Sequence, residues 1–334
     1  MLRSIALAAA AAAALALGAS SYAAAEILAR LSYHWGPAHP SAVQAEAFAE
    51  RVNARLEGKL KIEVFPSGQL FGIREVMGAV AAGSVEMGGV VGIVSFPPIN
   101  RNYSITTFPG YFQSFDQQRA FFKDDPVGRQ VWSNILERTR STLIAHNPVG
   151  PSAVYSAGSD LKTVEAMAGL NARVLVKSDR ARWTALDVGK MVSLPTREVY
   201  TSLQNGTIDT VSTVPAALRA YSWWEFLTAA QLPWLSFNDA YIMANQAWFA
   251  GLPDDVRAVL LEEGARTSRE ATESIMAASM AAHDEFKQRG GTITTLSGSE
   301  LAKLRKLETE KVEPALAELV DAEVLTAVKR YVGR

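Results

Sequence analysis

The sequence predicts an α/β protein of two lobes bridged by a long helix, and three observations carry that reading. Strand-like and helix-like segments alternate through residues 27–95, a second alternating series starts near residue 150, and a helical stretch without internal proline runs from Pro253 to Arg289. Strands that alternate with helices imply right-handed parallel crossovers, hence an α/β lobe for each series. A helix of that length spans about 50 Å at about 1.5 Å per residue, more than one lobe, so it straddles both.

Composition narrows the function class. The chain has 334 residues, 49% of them hydrophobic, with 33 Lys and Arg against 34 Asp and Glu. That is enough for two real cores, and it leaves no bulk field to hold nucleic acid or an anionic membrane. No Cys is present, which excludes disulfides, thiolate chemistry, Cys-based metal sites and a lipidated N-terminus. The four histidines (His34, His39, His146, His283) are scattered without metal-ligand spacing, so neither a metal nor another cofactor is expected. Residues 1–23 combine Arg3, an apolar Ala-rich run too short to span a membrane, and small residues around Ala23. They read as a cleaved secretory signal peptide, which places the mature chain in the periplasm.

The elements follow in order. Ile27–Tyr33 alternates as a first strand and runs into His34-Trp35-Gly36-Pro37, a polar-aromatic tip of the kind that binds ligands in open α/β sheets. A helix from Pro40 carries Ala45, Phe48, Val52 and Leu56 as its core stripe, with Gly58 as a C-terminal stop. Leu60, Ile62 and Val64 mark the second strand; a helix over 72–82 and a third strand over 85–91 complete the first series. Glycines 88, 89 and 92 match no phosphate-loop spacing and read as close backbone approaches. Helices are expected around 115–123 and 127–139, and a strand at 143–145. In the second lobe a short helix from Thr163 to Gly169 precedes a strand, then a helix at 179–188, an apolar segment at 191–195, a helix at 196–204 and a strand at 208–213.

The strand after Gly169 carries an unusual residue. Ala172, Val174 and Val176 alternate with Arg173, Leu175 and Lys177. A charge at the start of a buried strand needs a partner anion. An internal ion pair and a ligand carboxylate both satisfy that requirement.

Several stretches in order resemble one family: Phe65-Pro66-Ser67-Gly68-Gln69-Leu70-Phe71-Gly72, Gly83-Ser84-Val85-Glu86-Met87, Phe108-Pro109, Asp160–Glu165 followed by Gly169–Arg173, and Glu198–Asp209. Across essentially the whole mature chain they are similar to the solute-binding proteins of TRAP transporters, the DctP family. The resemblance implies a periplasmic-binding-protein-like α/β fold with hinge strands, a ligand cleft between the lobes, and closure around the ligand. It implies lobe I from 24–150 plus about 239–276, and lobe II from 151–238 plus about 277–334. It also implies that Arg173 pairs with a ligand carboxylate, and that a membrane permease receives the ligand from a monomeric receptor.

The sequence departs from the family pattern at several cleft positions. The family's second frequent Arg falls at Ser152, its Asn at Thr213, its aromatic near Thr196, and an acidic contact of sialic-acid binders near Val91. With one cation and several polar groups gone, a dicarboxylate would leave its second charge poorly paired in a closed site. The expected ligand is a monocarboxylate with an apolar or aromatic body, held by Arg173 beside His34 and packed by Trp35 and by Phe237 or Trp234. Trp223 and Trp224 read as ordinary core. An exported enzyme of similar fold and a receptor for a sensor kinase are the alternatives; no GxSxG elbow, Cys nucleophile or His–carboxylate spacing favours an enzyme.

Overall fold

The structure, a computed structural model, describes residues 25–334; the leader read at 1–23 lies outside the described residues. In chain order the strands are β1 (Ile27–Tyr33), β2 (Leu60–Phe65), β3 (Met87–Val91), β4 (Ser141–His146), β5 (Gly150–Ser156), β6 (Asn171–Val174), β7 (Lys190–Ser193), β8 (Thr210–Thr213), β9 (Ala229–Asn238), β10 (Ala240–Asn245) and β11 (Thr292–Thr295). They form two sheets, one ordered β2-β1-β3-β10-β4 and the other β11-β9-β5-β8-β6-β7. The expected crossovers are present: β1 pairs in parallel with β2 and β3, and β6 with β7 and β8.

Each sheet also contains antiparallel strands that the local pattern did not signal. β10 lies between β3 and β4, and β9 runs along β5. Together they carry the chain from one sheet to the other. The first crossing is the short segment between β4 and β5; the second is the single residue Asp239 between β9 and β10. The crossings lie side by side, with Asn147 N–H donating to the Ala240 carbonyl and Val149 N–H to that of Asn238. Side chains join them as well. His146 Nε2 bonds to the fully buried Asp239 carboxylate, which also accepts from Gln118 Nε2 at 2.7 Å.

The long helix Asp254–Gln288 packs against the helix Pro40–Arg55 and β4 of the first lobe, and against β5, β11 and the helix Pro215–Ala220 of the second. Arg51 and Arg55 both pair with Glu263 on this helix, at 2.8 Å each.

Two helices are shorter than the sequence suggests. The one expected from Gly72 is regular only over Val76–Ala81, because the Glu75 carboxylate accepts the Gly72 N–H and holds a turn. The one from Thr163 is a 3-10 turn, Glu165–Met167, with the Thr163 hydroxyl accepting from Ala166 N–H. The C-terminal segment also differs. The sequence groups 277–334 with lobe II, yet Val312, Leu316, Val320, Val324 and Val328 bury themselves against Phe108, Phe121, Val131 and Ile135 of the first lobe. Its polar contacts follow, with Arg101 paired to Asp321 and Arg330 to Asp125. The chain thus returns to the first lobe through a π-helical turn at Glu308–Val312.

Candidate functional site

A cavity of about 80 Å³ lies between the sheets, with walls from both. At roughly 10–15 Å³ per water, it has room for about five to eight water-sized groups, the scale of a small organic molecule. The first lobe supplies His34 and Trp35 just beyond β1, and Val91 at the end of β3. From the second come Ser152 on β5, Arg173 on β6, Thr196, and Thr213 at the end of β8.

Arg173 is only 3% exposed. Its Nε donates to the Leu194 carbonyl at 3.2 Å and an Nη to the Thr196 hydroxyl at 3.3 Å. Among the described residues no carboxylate forms an ion pair with it, so the internal bridge that the sequence left open is not made here. Burial lowers its pKa to about 10, opposed by the fields of Asp179 and Tyr221 and assisted by that of Arg74. It remains a cation at neutral pH, fixed by neutral acceptors and, among the described residues, without a carboxylate at ion-pair distance.

The histidines of the same wall carry no charge. Burial drives His34 down to about 3, with His39 and Arg173 adding repulsion, and burial alone does the same to His39. His39 Nδ1 accepts the Ser41 N–H and so caps the helix Pro40–Arg55. Backbone packing sets the indole of Trp35. A Cβ on Gly89 would stand 2.5 Å from its Cζ3 and 2.7 Å from Tyr33 Cβ, and a Cβ on Gly92 would meet the Tyr103 ring. These glycines admit aromatic side chains, as expected of close backbone approaches.

Phe237, expected to pack the ligand, stands away from this cavity. It packs edge-on against Phe115 at 5.2 Å between ring centroids, beside Ile275. Its partner in that expectation, Trp234, stacks on His283 instead. Trp223, read as core, is both core and cavity wall, whereas Trp224 stacks under Arg289 on the outside.

Other wall residues escaped the sequence reading. Tyr221 stacks on Trp223, and burial pushes its phenol up to about 12, so it stays an O–H donor. Asp179 accepts the N–H groups of Leu175 and Val176 at 2.9 and 3.0 Å, locking the start of the helix Lys177–Ala185. Arg182, one turn along that helix, reaches the same cavity. The polar run Lys177-Ser178-Asp179-Arg180-Ala181-Arg182 resembles a solvated face; the buried Trp183 beside it is the available signal that part of the helix turns inward.

The wall is rich in donors without acceptors. Trp35 Nε1, Trp223 Nε1, the Tyr221 hydroxyl and Arg182 Nε are all buried and, among the described residues, unpartnered. Buried donors are seldom left unpaired unless a water or a ligand completes them. Among the described residues no cluster of His, Asp and Glu could hold a metal ion, and no helix is long and apolar enough to cross a membrane.

A model of the DctP family, bacterial extracellular solute-binding protein family 7, matches residues 31–319. The chain is 26% identical over 306 residues to the C4-dicarboxylate-binding periplasmic protein DctP of Rhodobacter capsulatus, covering 91% of this chain and 90% of that protein. It is 22% identical over 260 residues to the 2,3-diketo-L-gulonate-binding periplasmic protein YiaO of Escherichia coli, covering 78% of each. Many solved structures share its fold, and two illustrate it. One is a Bordetella pertussis extracytoplasmic solute receptor binding pyroglutamic acid, at 19% identity and a TM-score of 0.82, covering 92% of this chain and 99% of that one. The other is an Advenella mimigardefordensis sugar acid binding protein in complex with galactonate, at 17% identity and a TM-score of 0.84, covering 92% and 98%.

Proposed function

This chain belongs to the DctP family of bacterial extracellular solute-binding proteins, and on that premise we propose that it captures a small organic acid between its lobes and hands it to a TRAP-type membrane permease. The observation that carries this reading is Arg173, a buried cation without a carboxylate partner, facing a cavity between two sheets. A guanidinium offers a bidentate fork to a carboxylate, and a dry cavity strengthens the pair. Such charge-assisted bonds contribute about 1.5–3 kcal/mol each, a sizeable part of the roughly 8 kcal/mol of a micromolar complex.

The charges of the wall favour a monocarboxylate. Arg173 and Arg182 are positive, Asp179 is negative, and His34 and His39 are neutral, which leaves one positive charge to match. Trp35, Val91 and Trp223 flank the ligand's body, and Ser152, Thr196 and Thr213 supply small polar contacts. The protein works in the periplasm as a monomer after loss of its leader, binds without chemical turnover, and needs no metal or cofactor. The test is a thermal-shift screen of organic acids. A true ligand at 100 times its dissociation constant adds about 2.7 kcal/mol of stability; no stabilisation by any monocarboxylate in a broad screen would contradict the proposal.

A further inference from the structure

We infer that Arg182 selects, among monocarboxylates, those that carry a further uncharged oxygen, a carbonyl or a hydroxyl. This rests on the reading that Arg173 holds the ligand carboxylate. Arg182 projects from the helix Lys177–Ala185 into the cavity wall and is 5% exposed. Its Nε is buried with no acceptor. The nearest carboxylate oxygen is Asp179 Oδ1, 4.0 Å from Nη1, too far for a hydrogen bond. The other Asp179 oxygen is occupied by the Leu175 and Val176 amides.

The two cations therefore play different parts. Arg173 has neutral acceptors and, among the described residues, no carboxylate at ion-pair distance; Asp179 reaches it only through its field. Arg182 has Asp179 at 4.0 Å and the field of Glu308 besides, yet among the described residues its side chain makes no hydrogen bond: its charge is compensated while its donor fork is idle. A compensated cation with idle donors suits a neutral acceptor. A second carboxylate there would leave the closed cavity with excess negative charge, which is costly when desolvated. Trp35 Nε1, Trp223 Nε1 and the Tyr221 hydroxyl are further unpartnered donors, buried on residues of the same wall. A plain aliphatic acid would offer Arg182 no acceptor, and a site built to bond an oxygen discriminates strongly against the analogue that lacks it.

The experiment is titration calorimetry on carbon-matched acids of about three to eight carbons, each as the plain, 2-oxo, 2-hydroxy and dicarboxylate form. It uses the full mature chain, Arg182→Met, Arg182→Lys and Arg173→Met, each checked for folding by circular dichroism. In the wild type the best oxygenated acid should bind about tenfold to a hundredfold more tightly than its plain counterpart, the size of one charge-assisted hydrogen bond. Arg182→Met also removes the charge that offsets Asp179 and should weaken every acid, but the oxygenated one more, erasing the ratio; Arg182→Lys keeps the charge and should hold the plain acid within about threefold while retaining part of the ratio. The inference is overturned if the wild type does not discriminate, if Arg182→Met weakens both acids equally, or if the dicarboxylate binds best. Retained binding in Arg173→Met, or no binding anywhere in the panel, would overturn the carboxylate reading itself. An unchanged ratio in Arg182→Met alone would overturn only the role of Arg182.

Discussion

The guanidinium carbon of Arg173 lies 5.6 Å from the ring centroid of Trp223, whose indole Nε1 has no hydrogen-bond partner. The residue that centres the cavity is thus steadied by an aromatic face and by neutral oxygens, which leaves its charge for an incoming anion. A cation–π contact of this kind contributes about 0.5–2 kcal/mol.

Trp223→Leu removes both the ring under Arg173 and part of the cavity wall. It should weaken acid binding about threefold to thirtyfold by calorimetry and lower the melting temperature, because Trp223 is also buried among Leu218 and Leu227. Trp223→Phe keeps a ring and should fall between. Wild-type affinity in Trp223→Leu would show that the contact is incidental.

Gly89→Ala tests how the backbone positions Trp35. The added methyl would overlap the indole and Tyr33, and overpacking of this kind costs about 1–3 kcal/mol. Thermal denaturation should show a lower melting temperature, with weaker binding as the indole is pushed into the cavity. An unchanged melting temperature would mean that the wall yields freely.

The neutral histidines predict an acid-sensitive fold. The unfolded chain protonates His34 and His39 as pH falls through about 6.5, whereas the folded chain holds both neutral until about 3. The unfolded state therefore binds more protons in that window, and stability drops as pH is lowered from 6.5 toward 3. His39→Asn retains an acceptor for the Ser41 N–H and removes one of these protons. Its melting temperature should fall less steeply between pH 6.5 and 4.5 than that of the wild type, and parallel curves would count against the assignment.

Asp239 links the two crossings between the sheets. Asp239→Asn removes the charge that faces His146 and sets an amide against the Gln118 donor. Weakening hydrogen bonds to a buried charged group typically costs about 1.5–3 kcal/mol. Chemical denaturation should report a loss of that order; a loss below about 1 kcal/mol, the worth of an exposed pair, would show that the crossings are held by their backbone bonds alone.

The parts of this fold that depend on local pattern were legible in the sequence, and those that depend on distant contacts were not. Alternation in Ile27–Tyr33 and Leu60–Phe65, and the proline-free run after Pro253, translate directly into β1, β2 and the long helix. β9 was hidden because Pro233 interrupts it, and a proline within a run argues against a strand. The structure places that proline in a bulge, where the pairing with β5 shifts between Ser152 and Val154. In the site, Arg173 was visible as a charge in an apolar strand. Arg182 and Trp223 were not, because a charged helix and an aromatic pair look the same in sequence whether they face water, core or a cavity. The reading that the cleft lacked a second cation followed from Ser152 alone; the structure supplies one from a different element.

The most direct measurement is calorimetric titration of wild type and Arg173→Ala with the acid that stabilises the wild type most. The account predicts saturable binding by the wild type and no detectable heat from Arg173→Ala, with circular dichroism and chemical denaturation showing an intact fold. Equal dissociation constants for the two proteins would contradict it.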